Sequence, residues 1–465
     1  MRDTARENQS GEWKQLAVVC LGAFLFFNSF GSLNVALPNI QAEFGSSLAA
    51  IQWVSMMGLV MLSSLSFCFG RAGDLLGQRT LYRIGVVFYA AGAGLAALSG
   101  TFSQLLLFRA IMSVGLAMAL PMSAAILATV YAPERRGRAL GLFASAVAVG
   151  RATGPTVGGF LLHFATWRSV FVLNFVIGVA VSAAVFAVFG QRDERRRGAF
   201  DFPGALALMI GYPSLLIGLS TGATAGWSSA GTLVWLALAF IGLTGFYLIE
   251  RRSENPLIEP ALFRSRPLAA ALVSLAAASA AYGPINLSAP LFMQKVLGIA
   301  PLTVGFVMAA LPVCTAVASP LSGALSDRFE PRSLAAAGSG LILAGIFVYA
   351  LLGLDARASS VAVALMLIGA GTGFFIPANQ KAAFAVAPSG DYGILSAMLS
   401  SIGTAASTLG TTAAVALIET STSGRSDFSG EAFTTAQSFA FAMMIPLAAL
   451  ALVSALIGRR LVAES

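Results

Sequence analysis

From Gln15 to Ile457 the chain is a succession of apolar runs, each about twenty residues long, separated by short stretches that hold nearly all of its charge. A helix of that length crosses the ~30 Å hydrocarbon core of a bilayer. In lipid, a lone segment that must satisfy its own backbone has only the helix available. Fourteen such runs can be drawn, near 15–37, 50–70, 82–99, 104–131, 138–162, 168–189, 203–222, 231–249, 268–294, 303–324, 333–353, 360–387, 394–418 and 435–458. Only 10% of the residues are charged and 57% are hydrophobic, whereas a soluble domain carries about 25% charged residues. The expected class is an all-α polytopic membrane protein. The first run is preceded by a polar stretch and has no small-residue cleavage site, so it reads as a retained anchor and not as a leader.

The formal net charge of +8 would suggest nucleic acid in a soluble chain, but its distribution argues otherwise. With a cytoplasmic N-terminus, twenty-one Lys and Arg fall on the inner side and four on the outer, with Arg109, Arg151 and Lys381 inside runs. The positive-inside rule then places both termini in the cytoplasm, which fits an even number of crossings. Cys20, Cys68 and Cys314 lie within apolar runs and suggest neither a disulfide framework nor a metal site. His163 stands alone at a run's end.

One loop pattern occurs twice. "GRAGDLLGQR" (70–79) follows the second run and "GALSDRFEPR" (323–332) the tenth, each with Gly, three residues, Asp, and Arg five further on. The duplication divides the chain into a six-helix bundle at 1–197, an inserted hairpin and linker at 198–267, and a second six-helix bundle at 268–465. The charged stretch "GQRDERRRGAFD" (190–201) opens the insertion. Paired bundles of this kind are a common architecture of secondary transporters.

The loop at 70–79 resembles the signature between the second and third helices of the major facilitator superfamily. Asp74 and Arg79 match its charged positions, and Gly70 and Gly77 its turns. In the fifth run Gly141, Gly150, Gly154, Pro155, Gly158 and Gly159 reproduce the spacing of the exporter-associated glycine–proline motif. "TWRSVFVLNF" (166–175), "FDFPGALAL" (200–208) and "PLFMQKVLGIAPLTVG" (290–305) are also similar to that superfamily's fourteen-span drug:proton antiporter branch. The resemblance implies a major-facilitator fold of two six-helix bundles with a two-helix insertion. It also implies that the Asp74 loop latches one access state, with Arg71, Arg79 and Arg138 as candidate partners. Asp327 with Arg328 or Arg332 would be the counterpart in the second half. Asp74 can also take hydrogen bonds from free amides at a helix N-terminus.

Several positions depart from that pattern. In "FRAIMSVGLA" (108–117) Arg109 and Gly115 fit, but Met112 and Ser113 replace a glutamine and a glycine. Ser29 and Gly31 stand where the first helix of the family has an aspartate and a threonine, and Gly58 where the second has a tyrosine. No Asp or Glu lies in the interior of a run, Glu43 and Glu419 being at outer ends. Membrane proton relays generally use Asp, Glu or His. Arg109 and Lys381 lie about 8–9 Å from a run end and are placed to snorkel. Arg151 is about 18 Å from either end, and a charge at that depth costs about 3 kcal/mol on insertion scales. At 100° per residue it falls in the sector of the glycines and Pro155, so it is expected to point into the protein.

The sequence therefore predicts a secondary transporter of the bacterial cell membrane working by alternating access, a monomer in the bilayer with a small-molecule substrate, no cofactor and no nucleic-acid partner. The resemblance implies efflux of small amphipathic compounds of the multidrug type, with protons as the coupling ion. The residues leave two other readings open: transport of an anionic or carboxylated metabolite drawn by intramembrane Arg and Lys, or a facilitator without proton coupling. Expected cavity residues are Arg151, Arg109, Asn28, Asn34, Gln52, Asn286, Gln294, Asn379 and Lys381. The hydrophilic loops are too short for an active site, no nucleophile–base set or phosphate loop is present, and an enzyme is not expected.

Overall fold

In a computed structural model the chain is helical almost throughout; residues 2–46, 48–189, 200–253, 256–257, 265–422 and 430–463 are described. It divides into two compact units. The first holds Met1–Met209, Phe246–Ile258 and Pro388–Met398, and the second Ile210–Gly245, Glu259–Ala387 and Leu399–Ser465.

The first unit is built on α1 (Arg2–Phe44), α2 (Leu48–Leu76), α3 (Gln78–Ala97), α4 (Phe102–Val130), α5 (Pro133–Phe164) and α6 (Arg168–Val188). Local chemistry sets the boundaries. Gly77 turns α2 into α3 at φ 106°, a conformation open to glycine and costly for other residues. Thr101 caps α4 by accepting from the Gln104 amide at 3.2 Å, and Pro133 opens α5 at a position that needs no amide donor.

Within this unit α1 lies along α5, α2 along α4, and α3 against α4 and α6. The α1–α5 seam is as tight as backbones allow. A methyl at Gly154 would sit 2.7 Å from the Asn28 carbonyl oxygen and 2.8 Å from Gly31 Cα; at Gly158, 2.7 Å from Ser32 Cα; at Gly150, 2.6 Å from the Phe24 carbonyl. Small residues drive membrane helices together by this close approach. Pro155 lies against Gly31, Gly141 is buried, and Asn28 Nδ2 donates to Thr153 Oγ1 at 2.9 Å across the seam. Gly159 differs from the expected packing role. Nothing lies within 4 Å of where its Cβ would be, because it is turned about 100° from Gly158.

The second unit takes the C-terminal part of α7 (Phe202–Ala225) and most of α8 (Ala230–Glu250), then α9 (Arg266–Tyr282), α10 (Ile285–Leu291), a π-helical turn at Phe292–Val296, α11 (Pro301–Ser326), α12 (Pro331–Ala350) and α13 (Ala358–Val386). It ends with most of α14 (Tyr392–Thr422), α15 (Gly430–Ala442) and α16 (Ile445–Ala463). Tyr349 centres its core, edge-on to Phe292 and Phe441. Two runs expected to be continuous are interrupted, 268–294 at Gly283–Pro284 and 435–458 at Met443–Met444. Pro284 and Pro446 lack an amide and clash with the carbonyl four residues earlier, which ends the preceding helix.

Twelve helical stretches among the described residues are long and apolar enough to cross a membrane. The expected runs 50–70 and 138–162 are not among them, although they lie within α2 and α5. Several α2 side chains are outside the described residues. In α5, Arg151 with its neighbouring Gly, Thr and Pro lowers the hydropathy.

Candidate functional site

Asp74, at the end of α2, is buried. Its Oδ1 accepts from the Gly393 amide at 2.8 Å and its Oδ2 from the Ile394 amide at 2.9 Å. These are free donors of the first turn of α14, where the helix dipole favours an anion. Gln78 Nε2 adds a third bond at 3.1 Å and itself accepts from Thr129 Oγ1. Burial pushes the Asp74 carboxyl up from 3.8 to about 6, with the two amides and Gln78 pulling against it. The charged partners differ from expectation. Arg71 pairs with Asp391 at 3.6 Å, Arg138 stacks on Trp13, and Arg79 is half-buried and not a partner of Asp74. Gly70 packs on the backbone of Gly393 and Ile394, and the buried Arg136 lies over the Tyr392 ring at 5.2 Å.

The second copy of the loop is held differently. Lys381 of α13 donates to Asp327 Oδ1 at 2.6 Å and to the Ser326 carbonyl at 2.7 Å. Both side chains are almost wholly buried. Lys381 therefore does not snorkel, and it takes the place that expectation gave to Arg328 or Arg332. Arg328 is exposed, and Arg332 donates to the Pro267 carbonyl at 3.1 Å.

Arg109 also fails to snorkel: it is 2% exposed. Its Nε donates to the Val54 carbonyl at 3.2 Å and its Nη1 reaches Met112 Sδ at 3.2 Å. Its guanidinium lies 5.7 Å from the centre of the Phe30 ring. Phe30 is 6.4 Å from Phe27, and Phe27 carries Arg151 on its face at 4.7 Å. The two intramembrane arginines are thus joined by two phenylalanines in a row that runs from a buried end to an exposed one. Gly58 makes room for it, since a Cβ there would stand 2.8 Å from Phe30 Cε1 and 3.0 Å from Arg109 Nη2.

Helix α5 shows two distinct sides. Arg151 lies about 60° around the axis from Arg136, which is buried beside the Asp74 cluster. The opposite side lines an apolar groove of about 380 Å³ with α1, between Trp13, Cys20 and Phe24 on one helix and Leu142, Ala146 and Val149 on the other. Arg151 is exposed and lies on the Phe27 ring, whereas the glycine sector predicts a side chain turned into the protein.

The remaining expected cavity residues scatter. Asn28 is committed to the seam, and Asn379 is buried and donates to the Ala271 carbonyl at 3.1 Å. Asn34, Asn286 and Gln294 are exposed, with Asn286 just past the break in its run. The Gln52 and Glu419 side chains lie outside the described residues. Glu43 accepts from Trp167 Nε1 at 2.6 Å and pairs with Arg168 at 2.7 Å. Phe27, Phe30 and Asp391 were not singled out from sequence. The phenylalanines are two among 33, and their only signal is that each lies within a turn of Asn28 and Gly31.

A family model described as the Major Facilitator Superfamily matches residues 19–287 and 268–464. The chain is 26% identical over 403 residues to the riboflavin transporter RibZ of Clostridioides difficile (strain 630), covering 86% of this chain and 87% of that one. It is 29% identical over 394 residues to the multidrug resistance protein Stp of Mycobacterium tuberculosis (strain CDC 1551 / Oshkosh), covering 84% and 73%. Among solved structures, the human organic anion transporter MFSD10 (TETRAN) matches with a TM-score of 0.68 over 96% of this chain and 99% of that chain. At 17% identity that is a likeness of fold alone.

Proposed function

Because this chain belongs to the Major Facilitator Superfamily and is a multi-pass transporter rather than an enzyme, we propose that it exports small amphipathic compounds by alternating access. The observation that carries this reading is the double hydrogen bond from the first turn of α14 to the buried Asp74 carboxylate. A charge-assisted contact at a helix end can be made and broken as a unit. The close seam between α1 and α5, where Gly150, Gly154 and Gly158 bring backbone onto backbone, matches the exporter-type motif, and one relative is named for multidrug resistance. We take fourteen crossings, both termini in the cytoplasm and a monomer in the bacterial cell membrane as the accompanying topology, on the strength of the basic loops.

Protons enter this reading through Asp74. Its carboxyl titrates near pH 6, whereas Glu43 is occupied by Trp167 and Arg168. Proteoliposome flux under pH gradients of both signs tests the proposal. Substrate should move against its gradient only when protons flow the other way. Flux indifferent to the gradient would remove the coupling, and no flux for any amphipathic compound would remove export itself.

A further inference from the structure

We propose that the groove between α1 and α5 holds one acyl chain of an anionic phospholipid, with the lipid phosphate at Lys14 and Arg138. Such a site goes beyond export and does not depend on it. The groove follows from one ridge of α5. Steps of four residues back from Gly158 give Gly154, Gly150, Ala146, Leu142 and Arg138, and positions four apart form a continuous ridge on a helix. The glycines bring backbone onto backbone, the last of them at Gly150, where a methyl would stand 2.6 Å from the Phe24 carbonyl oxygen. Beyond it the ridge carries first a methyl and then an isobutyl group, and there a groove of about 380 Å³ opens between the two helices. Its far end is Trp13, with the Arg138 guanidinium over the ring at 5.1 Å.

Length and lining suit a lipid chain. On α1 the lining runs from Trp13 to Phe24, a span of about 16 Å at the helical rise of about 1.5 Å per residue. The hydrocarbon of one leaflet is about 15 Å deep. Apart from Ser145 and the Cys20 thiol, the walls are hydrocarbon and aromatic, so an alkyl chain fills the space more favourably than water does. Trp13 stands at the polar end, where an indole is favoured at the boundary between membrane and water.

Charge selects the headgroup. Lys14 and Arg138 are both exposed at that end of the groove. Of the nearby acids, Glu12 pairs with Arg135 at 3.2 Å, and Glu134 lies in the first turn of α5, a full turn farther from the groove than Arg138. A guanidinium carries five donors in a planar fork that matches a phosphate, and stacking on Trp13 fixes where that fork stands. A free phosphate would leave the apolar walls unused, and a neutral amphiphile would gain nothing from the two cations. A phospholipid with a net negative headgroup uses both.

Photo-labelling of the purified full chain in detergent micelles tests this. The probe is phosphatidylglycerol with a diazirine midway along one acyl chain, and the labelled peptides are read by mass spectrometry. Label should concentrate on 13–24 and 142–149, the two walls of the groove. Unlabelled phosphatidylglycerol should displace it at least about fivefold better than phosphatidylcholine with the same chains. Glycerol 3-phosphate and decanol should not displace it. Ala146→Phe, which fills the groove, should remove the label from both walls. Arg138→Gln, a change at an exposed position, should keep the label and lose about fivefold of the headgroup preference, with Arg138→Lys retaining most of it. Label outside the two walls, equal displacement by phosphatidylcholine or decanol, or an unchanged preference in Arg138→Gln overturns the proposal. Displacement by glycerol 3-phosphate would make the mouth a site for free phosphate, and cross-links between two chains through these walls would make the groove a contact between copies. Either result also overturns it.

Discussion

Lys381 Nζ stands 2.6 Å from Asp327 Oδ1, with both side chains nearly excluded from the surface. The first copy of the same loop meets its aspartate with backbone amides of α14 instead. One repeat thus neutralises its acid with a fixed cation from its own unit, and the other with donors from a helix end. The two copies of one sequence pattern are not mechanically equivalent.

Breaking the fixed pair should be costly. Lys381→Met leaves Asp327 buried without its cation, a change that typically costs about 3–5 kcal/mol. Adding Asp327→Asn should restore most of the loss. Thermal unfolding in detergent reads both effects. If the single variant melts like the parent, the pair contributes nothing to stability.

The Asp74 contact should respond to pH in a defined direction. Its carboxyl is raised to about 6 from 3.8, so the docked form holds a proton that the released form gives up. Docking is therefore fully favoured below about pH 4 and loses this contribution as the pH rises through about 6. Amide exchange at Gly393 and Ile394, corrected for intrinsic rate, should speed up relative to the core across that window. Asp74→Asn should flatten the dependence. Protection that grows with pH would reverse the assignment.

The α1–α5 seam offers a paired test within one motif. Gly154→Ala drives a methyl to 2.7 Å from the Asn28 carbonyl and 2.8 Å from Gly31 Cα. Backbone cannot yield as a side chain does, and overpacking of this kind costs about 1–3 kcal/mol. Gly159→Ala meets open space and should stay within about 0.5 kcal/mol. Equal losses in the two variants would mean that the motif acts through helix flexibility and not through contact.

What could be read from the residues followed the range of the physics. The runs, the basic side, the glycine seam and the repeated loops all depend on periodicity or local spacing, and the sequence carries these directly. The breaks before Pro284 and Pro446 follow from the proline rule, yet hydropathy alone runs straight through them. The partners were a different matter. Asp327 finds Lys381 54 residues away and Asp74 finds an amide pair 319 and 320 residues away. Spacing says nothing about contacts of that reach, so nearby arginines were the natural but mistaken choice. Phe27 and Phe30 were hidden for another reason: phenylalanine in an apolar run is ordinary until a guanidinium is found on its face.

Gly58 gives the sharpest prediction for the arginine–phenylalanine row. A side chain at this position competes for the space that Phe30 Cε1 and Arg109 Nη2 now fill, at 2.8 and 3.0 Å from where its Cβ would stand. The Phe30 ring is the flexible party, since Arg109 is tied to Val54 and Met112. Gly58→Ala should therefore displace Phe30 while leaving Arg109 in place, and the fold should hold because a ring edge moves more easily than backbone. Thermal unfolding in detergent should show a loss of about 1–3 kcal/mol, the range for overpacking. Gly58→Tyr should cost more, because its larger ring would have to separate Arg109 from Phe30. If both variants melt like the parent, Gly58 does not hold open the space that Phe30 and Arg109 fill.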